Sequence, residues 1–449
     1  MSKQNESLAE HLGILKDRWD QALCNHDYQL AVVAAGVSRT YLFDDQSPVF
    51  RANPHLAQWL GSDACEGSTL ILETGREPRL LFYSPADYWH QPPDPPEELL
   101  GVLNIDVFDS IDAIQREVNV CTQHAGQVAY VGDPSSAQGS LGEVNPSALI
   151  NELHYLRAYK TEYELQCMRQ ASARAVSGHL AAASAFAGGA SEFELQLAYL
   201  DASRQTEADL PYPNIIALNQ HAGILHYQHY ERAAPNPRHS FLIDAGARHR
   251  NYAADVTRTY GSDQAGAAQQ TFNALVAAMD RQQQELVSKI RPGLSFLDLH
   301  EDMHHRLGGM LNAAGLIQCD GEQAFDAGIT RAFLPHGLGH LLGLQTHDVG
   351  GHQIDTEGTT SEPPESYQAL RLTREIEVDQ VFTIEPGLYF IPQLLEELRA
   401  SEAGQHVCWP EVEALQDFGG IRIEDNVAIR PDGVENLTRD AFAQAPGAA

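Results

Sequence analysis

The stretch Phe241-Leu-Ile-Asp-Ala-Gly, with Ala254-Asp-Val-Thr-Arg-Thr-Tyr a short way beyond it, decides the fold. Each run is β-forming, and each carries one carboxylate, Asp244 or Asp255, among neighbours that belong in a sheet. A carboxylate in such company is costly to bury unless it is paired or binds a cation. If the two runs form a hairpin, Asp244 and Asp255 sit opposite one another with both side chains on one face. Two adjacent carboxylates repel, and one takes up a proton unless a cation lies between them. Two later runs repeat the pattern, Val381-Phe-Thr-Ile-Glu-Pro and Ile421-Arg-Ile-Glu-Asp-Asn-Val-Ala-Ile. In the second, the period of two puts Ile421 and Ile423 on one face, and Arg422 and Glu424 on the other. Glu385 precedes Pro386, which biases it toward extended backbone at a strand end.

Between these runs lies Phe333-Leu-Pro-His-Gly-Leu-Gly-His-Leu-Leu-Gly-Leu-Gln-Thr-His-Asp-Val-Gly-Gly, with His336, His340 and His347 in one apolar, glycine-rich stretch. Neutral imidazole is a common ligand for divalent transition metals and carries protons near neutral pH. Four carboxylates with an imidazole make a hard, oxygen-rich set suited to two divalent ions such as Mn²⁺, Co²⁺ or Zn²⁺. No cysteine lies nearby, so a thiolate zinc site is excluded. Which histidine is the ligand stays open on this pattern alone.

Around this half the chain is organised in two parts. Up to about residue 155, short apolar runs alternate with loops: Leu30-Ala-Val-Val-Ala-Ala, Leu70-Ile-Leu-Glu-Thr, Leu80-Leu-Phe-Tyr and Val128-Ala-Tyr-Val. These are typical of strands in an α/β sheet. His90-Gln-Pro-Pro-Asp-Pro-Pro-Glu-Glu reads as a loop, because four prolines fix φ and remove donors. A helix is expected from Lys160, and a second follows Gly188-Gly189 with Ser191 and Glu194 as a capping box. The expected domains are therefore 1–155 and 156–449. In the second, helices are predicted over 268–290 and 295–307, and two helix pairs each precede a strand pair.

Composition narrows the partners. The 449 residues hold 29 Lys+Arg against 61 Asp+Glu, a formal charge of −32. That balance, without any basic cluster, argues against nucleic acid and anionic membranes, and it suits a surface kept soluble by charge. Six cysteines scattered without a C-x-x-C pair point to a reducing compartment, and no apolar run nears the roughly 20 residues of a membrane span. A cytoplasmic protein is expected.

Asp244, Asp255, His340, Glu385 and Glu424, in that order and with these flanking motifs, resemble the five metal ligands of the "pita-bread" metallopeptidases, which include methionine aminopeptidase, aminopeptidase P and prolidase. The motifs carrying the likeness are Asp-Ala-Gly at 244, Asp-Val-Thr-Arg-Thr at 255, Pro-His-Gly-Leu-Gly-His at 335, His-Asp-Val-Gly-Gly at 347, Thr-Ile-Glu-Pro-Gly-Leu-Tyr-Phe at 383 and Gly-Gly-Ile-Arg-Ile-Glu-Asp-Asn at 419. The likeness covers nearly the whole chain and is strongest to bacterial prolidases (Xaa-Pro dipeptidases), in the branch also called organophosphorus acid anhydrolase. It implies a creatinase-like α/β N-terminal domain with a mixed sheet, serving dimerisation and substrate access, and an α+β pita-bread catalytic domain. It implies two divalent ions, Mn²⁺ foremost: Asp244 binding one alone, Asp255 and Glu424 bridging both, His340 and Glu385 completing the second. A hydroxide bridging the ions would hydrolyse dipeptides with C-terminal proline, and Glu385 would act as general base and then acid. His226, His336 and His347 match histidines that bind substrate or stabilise the transition state. Arg371 matches an arginine that holds the proline carboxylate, and Arg422, beside the site, is expected with it among the substrate-binding residues. Tyr212, Asp45 and Trp89 match substrate-region positions, Asp45 reaching a neighbouring subunit's substrate in a homodimer. Hydrolysis of organophosphate triesters and fluoridates is implied as a side activity. Thr346 and Phe296 depart from the branch's pattern, apolar residues and a tyrosine being usual there. Alternatives within the fold are aminopeptidase P-like cleavage of longer Xaa-Pro peptides and a non-catalytic binding protein.

Overall fold

A computed structural model describes residues 3–136 and 142–445. It divides into two compact units, one containing the chain up to Cys167 with Arg250–Tyr252 and Gln353–Thr360, the other the remainder.

The first unit is built on six strands: β1 (Leu30–Ala34), β2 (Thr69–Glu73), β3 (Arg79–Tyr83), β4 (Asn104–Phe108), β5 (Val128–Val131) and β6 (Glu143–Val144), in the order β4-β3-β2-β1-β5-β6. The sheet is mixed, β1 pairing antiparallel with β2 and parallel with β5. Leu30 to Val33 are all buried, as expected of a central strand covered on both faces. Helix Ile111–Thr122, capped by Ser110, buries Ile114 and Val118 in one core with Leu30, Val32, Ile71, Leu81 and Tyr130. The proline-rich stretch is irregular until a 3₁₀ turn at Glu97–Leu99.

The second unit takes helix Glu162–Gly188 from Met168 on, helix Glu192–Ser203, then β7 (Ile215–Leu218), β8 (Ser240–Asp244), β9 (Ala247–His249), all but Tyr252 of β10 (Tyr252–Ala254), and β11 (Thr257–Gly261). Ser191 and Glu194 form the capping box. Helices Ala267–Lys289 and Phe296–Ala313 then precede β12 (Val381–Ile384), β13 (Gly387–Tyr389), β14 (Gly420–Arg422), β15 (Asp425–Arg430) and β16 (Gly433–Asn436). The second of these helices runs past 307 because Gly308 lies against the backbone of Gly321, where a Cβ would meet the Gly321 oxygen at 2.6 Å. The glycine pair is a packing seam there, not a stop. The sheets are β11-β8-β7, β12-β15-β16 and β13-β14. A bridge between Thr257 and Glu424 joins the end of β11 to the turn before β15, and one between Leu341 and Phe382 ties the histidine loop to β12.

The expected facing of Asp244 and Asp255 is corrected by the register. Asp244 pairs with Thr257, two residues beyond Asp255, because β9 and β10 are interposed and Asp255 lies before the paired part of β11.

Helix Phe296–Ala313 turns His300 and His304 inward, both buried, with perpendicular rings 4.7 Å apart. His304 Nδ1 lies 3.1 Å from Thr330 Oγ1. Burial, then the nearby Arg331 charge, pushes His304 down to about 4. An unfolded histidine titrates near 6.5. Between those values the unfolded chain binds a proton that the folded chain refuses, so stability falls as pH drops through the window. The effect amounts to about 3 kcal/mol at its acid end. We expect His304→Gln to flatten the decline of the urea midpoint between about pH 6.5 and about pH 4; a slope identical to the parent's would rule out this contribution.

Candidate metal centre

The ends of β8, β11, β12 and β14 and the histidine loop converge on a cavity of about 270 Å³, lined by Leu225, His226, Asp244, Asp255, His336, His340, His347, Arg371, Glu385, Arg422 and Glu424 among others. Ligand-competent atoms of Asp255, His340 and Glu424 all lie within 4.8 Å of one another. Asp244 and Glu385 line the same cavity outside that tight trio.

Each side chain is held from behind. Tyr212 Oη lies 2.8 Å from Asp244 Oδ1 and 2.5 Å from Asp255 Oδ1. Arg422 donates from Nη2 to Asp244 Oδ2 at 2.6 Å, from Nη1 to the Tyr389 hydroxyl at 2.6 Å and from Nε to Thr257 Oγ1 at 3.1 Å. Thr257 in turn donates to Glu424 Oε2 at 2.6 Å. The Asn426 side chain clamps the backbone of Asp255, accepting from its N–H at 3.0 Å and donating to its carbonyl. Strand alternation explains part of this, since Asp255, Thr257 and Thr259 share one face and Arg258 turns away to Asp425. Tyr389 fits because its neighbours are glycines: a Cβ on Gly420 or Gly387 would meet its ring at 2.4 or 2.6 Å.

The protonation balance shows what the cavity accepts. His340 Nδ1 lies 3.0 Å from the Leu341 carbonyl, so it carries the proton and donates. Nε2 faces Asp255 Oδ2 at 3.4 Å and Glu385 Oε1 at 3.6 Å, and these two carboxylates raise His340 against its burial, so the space between them takes either a proton on Nε2 or a metal ion. Acceptors facing acceptors need a positive charge between them. Burial and the neighbouring carboxylates Asp255, Glu385 and Asp244 push Glu424 well up, and burial holds Glu385 up at about 7. Burial, followed by Asp255 and against the pull of Arg422, raises Asp244. Burial opposes the charge on Asp255 too, but the contact with His340 and that histidine's charge outweigh it and hold Asp255 low. A surplus of buried carboxylate oxygens with one imidazole nitrogen and no thiolate is the donor set of a hard or borderline divalent ion. The residues fit a metal.

Several expected residues take positions that the motifs could not convey. The three guanidinium nitrogens of Arg422 each have a protein partner, so this side chain anchors Asp244 instead of reaching for substrate. The Tyr212 hydroxyl likewise sits between two aspartates. His336 Nδ1 faces the Gly337 carbonyl at 2.8 Å and Nε2 faces the Tyr389 hydroxyl at 2.8 Å. The carbonyl fixes the proton on Nδ1 and makes Nε2 an acceptor. His347 packs perpendicular to His340, with centroids 4.5 Å apart. Arg371 and His226 are exposed on the cavity lining and make no hydrogen bond or ion pair among the described residues. Asp45 and Trp89 belong to the first unit, both exposed on loops. Thr346 is half-buried with an unpartnered hydroxyl, and Phe296 is wholly buried. Tyr389, Thr257 and Asn426 were not singled out beforehand. Each lies inside a quoted motif, and only the period-two pattern around Thr257 hinted at an inward polar side chain.

The model of metallopeptidase family M24 matches residues 166–431, and that of the Xaa-Pro dipeptidase N-terminal domain matches residues 6–155. The chain belongs to metallopeptidase family M24. Among curated relatives, the Xaa-Pro dipeptidase of Aeromonas hydrophila is 43% identical, covering 98% of this chain and 100% of its own. That of Pseudoalteromonas haloplanktis is 41% identical over 98% and 99%. Among solved structures, aminopeptidase PepP of Pseudomonas aeruginosa superimposes with a TM-score of 0.73 at 21% identity, over 96% of this chain and 95% of that one. Aminopeptidase P of E. coli with the inhibitor Pro-Leu gives 0.70 at 21%, with the same coverage. These structures share the two-domain fold, a mixed-sheet N-terminal domain followed by a pita-bread domain.

Replacing Arg422 by Met strips Asp244 of its buried countercharge and Tyr389 of its donor. Loss of such supporting contacts weakens metal binding roughly ten- to a hundredfold, and Thr257→Val should shift it less in the same direction. Metal retained per chain after dialysis against graded chelator reads this out; parent-like retention in Arg422→Met would refute the anchoring role.

Proposed function

We propose that this protein hydrolyses Xaa-Pro dipeptides with C-terminal proline, using two divalent metal ions, Mn²⁺ foremost. The observation that carries the reading is one small cavity lined by the buried trio Asp255, His340 and Glu424 together with Arg371, which has no hydrogen bond or ion pair among the described residues. Full-length similarity to Xaa-Pro dipeptidases supports it. Asp244, Asp255, His340, Glu385 and Glu424 would hold the two ions. Two such ions, when bound, supply an activated water or hydroxide near neutral pH and polarise the scissile carbonyl.

The remaining work falls to side chains. An Xaa-Pro bond is a tertiary amide without N–H, so recognition has to rest on the chain terminus. Arg371, without a hydrogen bond or ion pair among the described residues, offers a bidentate bond to the proline carboxylate, and only where the peptide ends. Glu385, between His340 and His336, is placed to take a proton and return it to the proline nitrogen. His226, likewise without a hydrogen bond among the described residues, is the donor available to a tetrahedral oxyanion. His336 keeps the Tyr389 hydroxyl, and through it Arg422, in place. His347 stands at the rim beside His340.

The finer expectations rest on less. A homodimer in which Asp45 reaches the neighbouring site is favoured by the exposed Leu42, Phe43, Tyr88 and Trp89 of the first unit. A cytoplasmic location accords with six free cysteines; among the described residues no helix is long and apolar enough to cross a membrane. Activity on organophosphate triesters and fluoridates would follow from the same centre, and the polar Thr346 is expected to lower it for bulky apolar leaving groups.

Gly-Pro and Gly-Pro-Ala separate the dipeptidase from an aminopeptidase P-like enzyme. We expect rapid Mn²⁺-dependent cleavage of the dipeptide and little of the tripeptide. Arg371→Met should lower kcat/KM for Gly-Pro roughly ten- to a hundredfold, the worth of a charged hydrogen bond. Fast tripeptide cleavage with an inert dipeptide would sink the reading.

A further inference from the structure

His226 reaches the cavity from the connection between β7 and β8, yet its own side chain makes no hydrogen bond among the described residues. Its position is set by its loop. That loop is gathered on one carboxylate, Glu192, in the first turn of helix Glu192–Ser203. Glu192 is 1% exposed, and both of its oxygens are fully used. Oε1 accepts from the Leu218 N–H at 2.8 Å and from His221 Nδ1 at 2.8 Å. Oε2 accepts from the Tyr227 hydroxyl at 2.6 Å and from the Glu231 N–H at 2.8 Å.

These four donors come from both ends and the middle of the segment that carries His226. Leu218 closes β7 just before the loop, and Glu231 lies at its far side, where its carbonyl also accepts from the Phe193 N–H at 3.1 Å. His221 and Tyr227 bracket His226 and stack on one another with centroids 4.4 Å apart. Backbone bonds from Ile224 to His221 and from Tyr227 to Ile224 tighten the turn between them. Four donors meet on one carboxylate at a helix N-terminus, where the backbone N–H groups favour its negative charge. Removing that charge leaves several donors unsatisfied at once.

We propose that Glu192 is a positioning residue for the reaction: it clamps the loop so that His226 and its neighbour Leu225 keep their places in the cavity. The inference rests on the assignment of His226 to the tetrahedral oxyanion. Glu192 touches neither substrate nor metal, so its effect passes through His226 and falls on kcat more than on KM.

The test is a coupling measurement on metal-loaded enzyme with Gly-Pro, metal content being checked for every variant. Glu192→Gln keeps the shape and loses the charge. Tyr227→Phe removes a single hydroxyl from the clamp and serves if the first variant folds poorly. Either should lower kcat, Glu192→Gln by roughly tenfold or more, as a displaced catalytic group does. KM should stay within about twofold. In a His226→Ala background the same substitutions should cost less than about twofold, because residues acting as one unit are not additive. An undiminished loss in that background overturns the clamp. Parent-like kcat in His226→Ala alone overturns instead the oxyanion assignment on which the inference rests.

Discussion

One shortage governs the catalytic half of this molecule: four carboxylates, buried or nearly so, share a cavity with one imidazole, and of the two guanidiniums on its lining only Arg422 is bonded to a carboxylate among the described residues. Its bond to Asp244 satisfies one of the four, and the others wait for a cation. The surrounding architecture follows from that need. Tyr389 and Thr257 spread the guanidinium's reach to His336 and Glu424, and glycines at 387 and 420 make room for the tyrosine ring. Tyr212 separates the two aspartates from the far side. Remove the shortage, and this density of supporting polar contacts would have no purpose.

The architecture was legible where local pattern and burial agree. The four apolar runs of the first half became β1, β2, β3 and β5, because a central strand covered on both faces must be apolar throughout. β4 and β6 escaped notice because an edge strand such as Asn104–Phe108 is largely exposed and Glu143–Val144 has only two residues. The capping box at Ser191 was readable because it is a purely local exchange of bonds. The pairing of Asp244 with Thr257 was not, since register across β8 and β11 depends on how many residues the intervening strands absorb.

The site shows the same division. Its donor set could be assembled from residue types alone, and similarity ordered it, but neither says which side chains are already engaged. Arg422 and Tyr212 read as groups that would meet a substrate; in the folded chain they are committed to aspartates. Arg371 and His226, by contrast, line the cavity without a hydrogen bond or ion pair among the described residues. Whether a polar side chain is free is a property of long-range contacts, some more than a hundred positions apart in sequence, and no local pattern encodes it. Glu192 is the extreme case: in sequence it is an unremarked acid beside a helix cap.

The bridge between Thr257 and Glu424 joins the first catalytic strands to one of the last. During synthesis Asp244 and Asp255 leave the ribosome long before Glu424 exists. The N-terminal sheet has all its strands by then and can fold on its own schedule, whereas the acidic centre has no partial form. Its first half is only a pair of repelling aspartates until the second half arrives. Cofactor acquisition is therefore tied to synthesis of the last strands, and a product truncated before Glu424 lacks a member of the donor set.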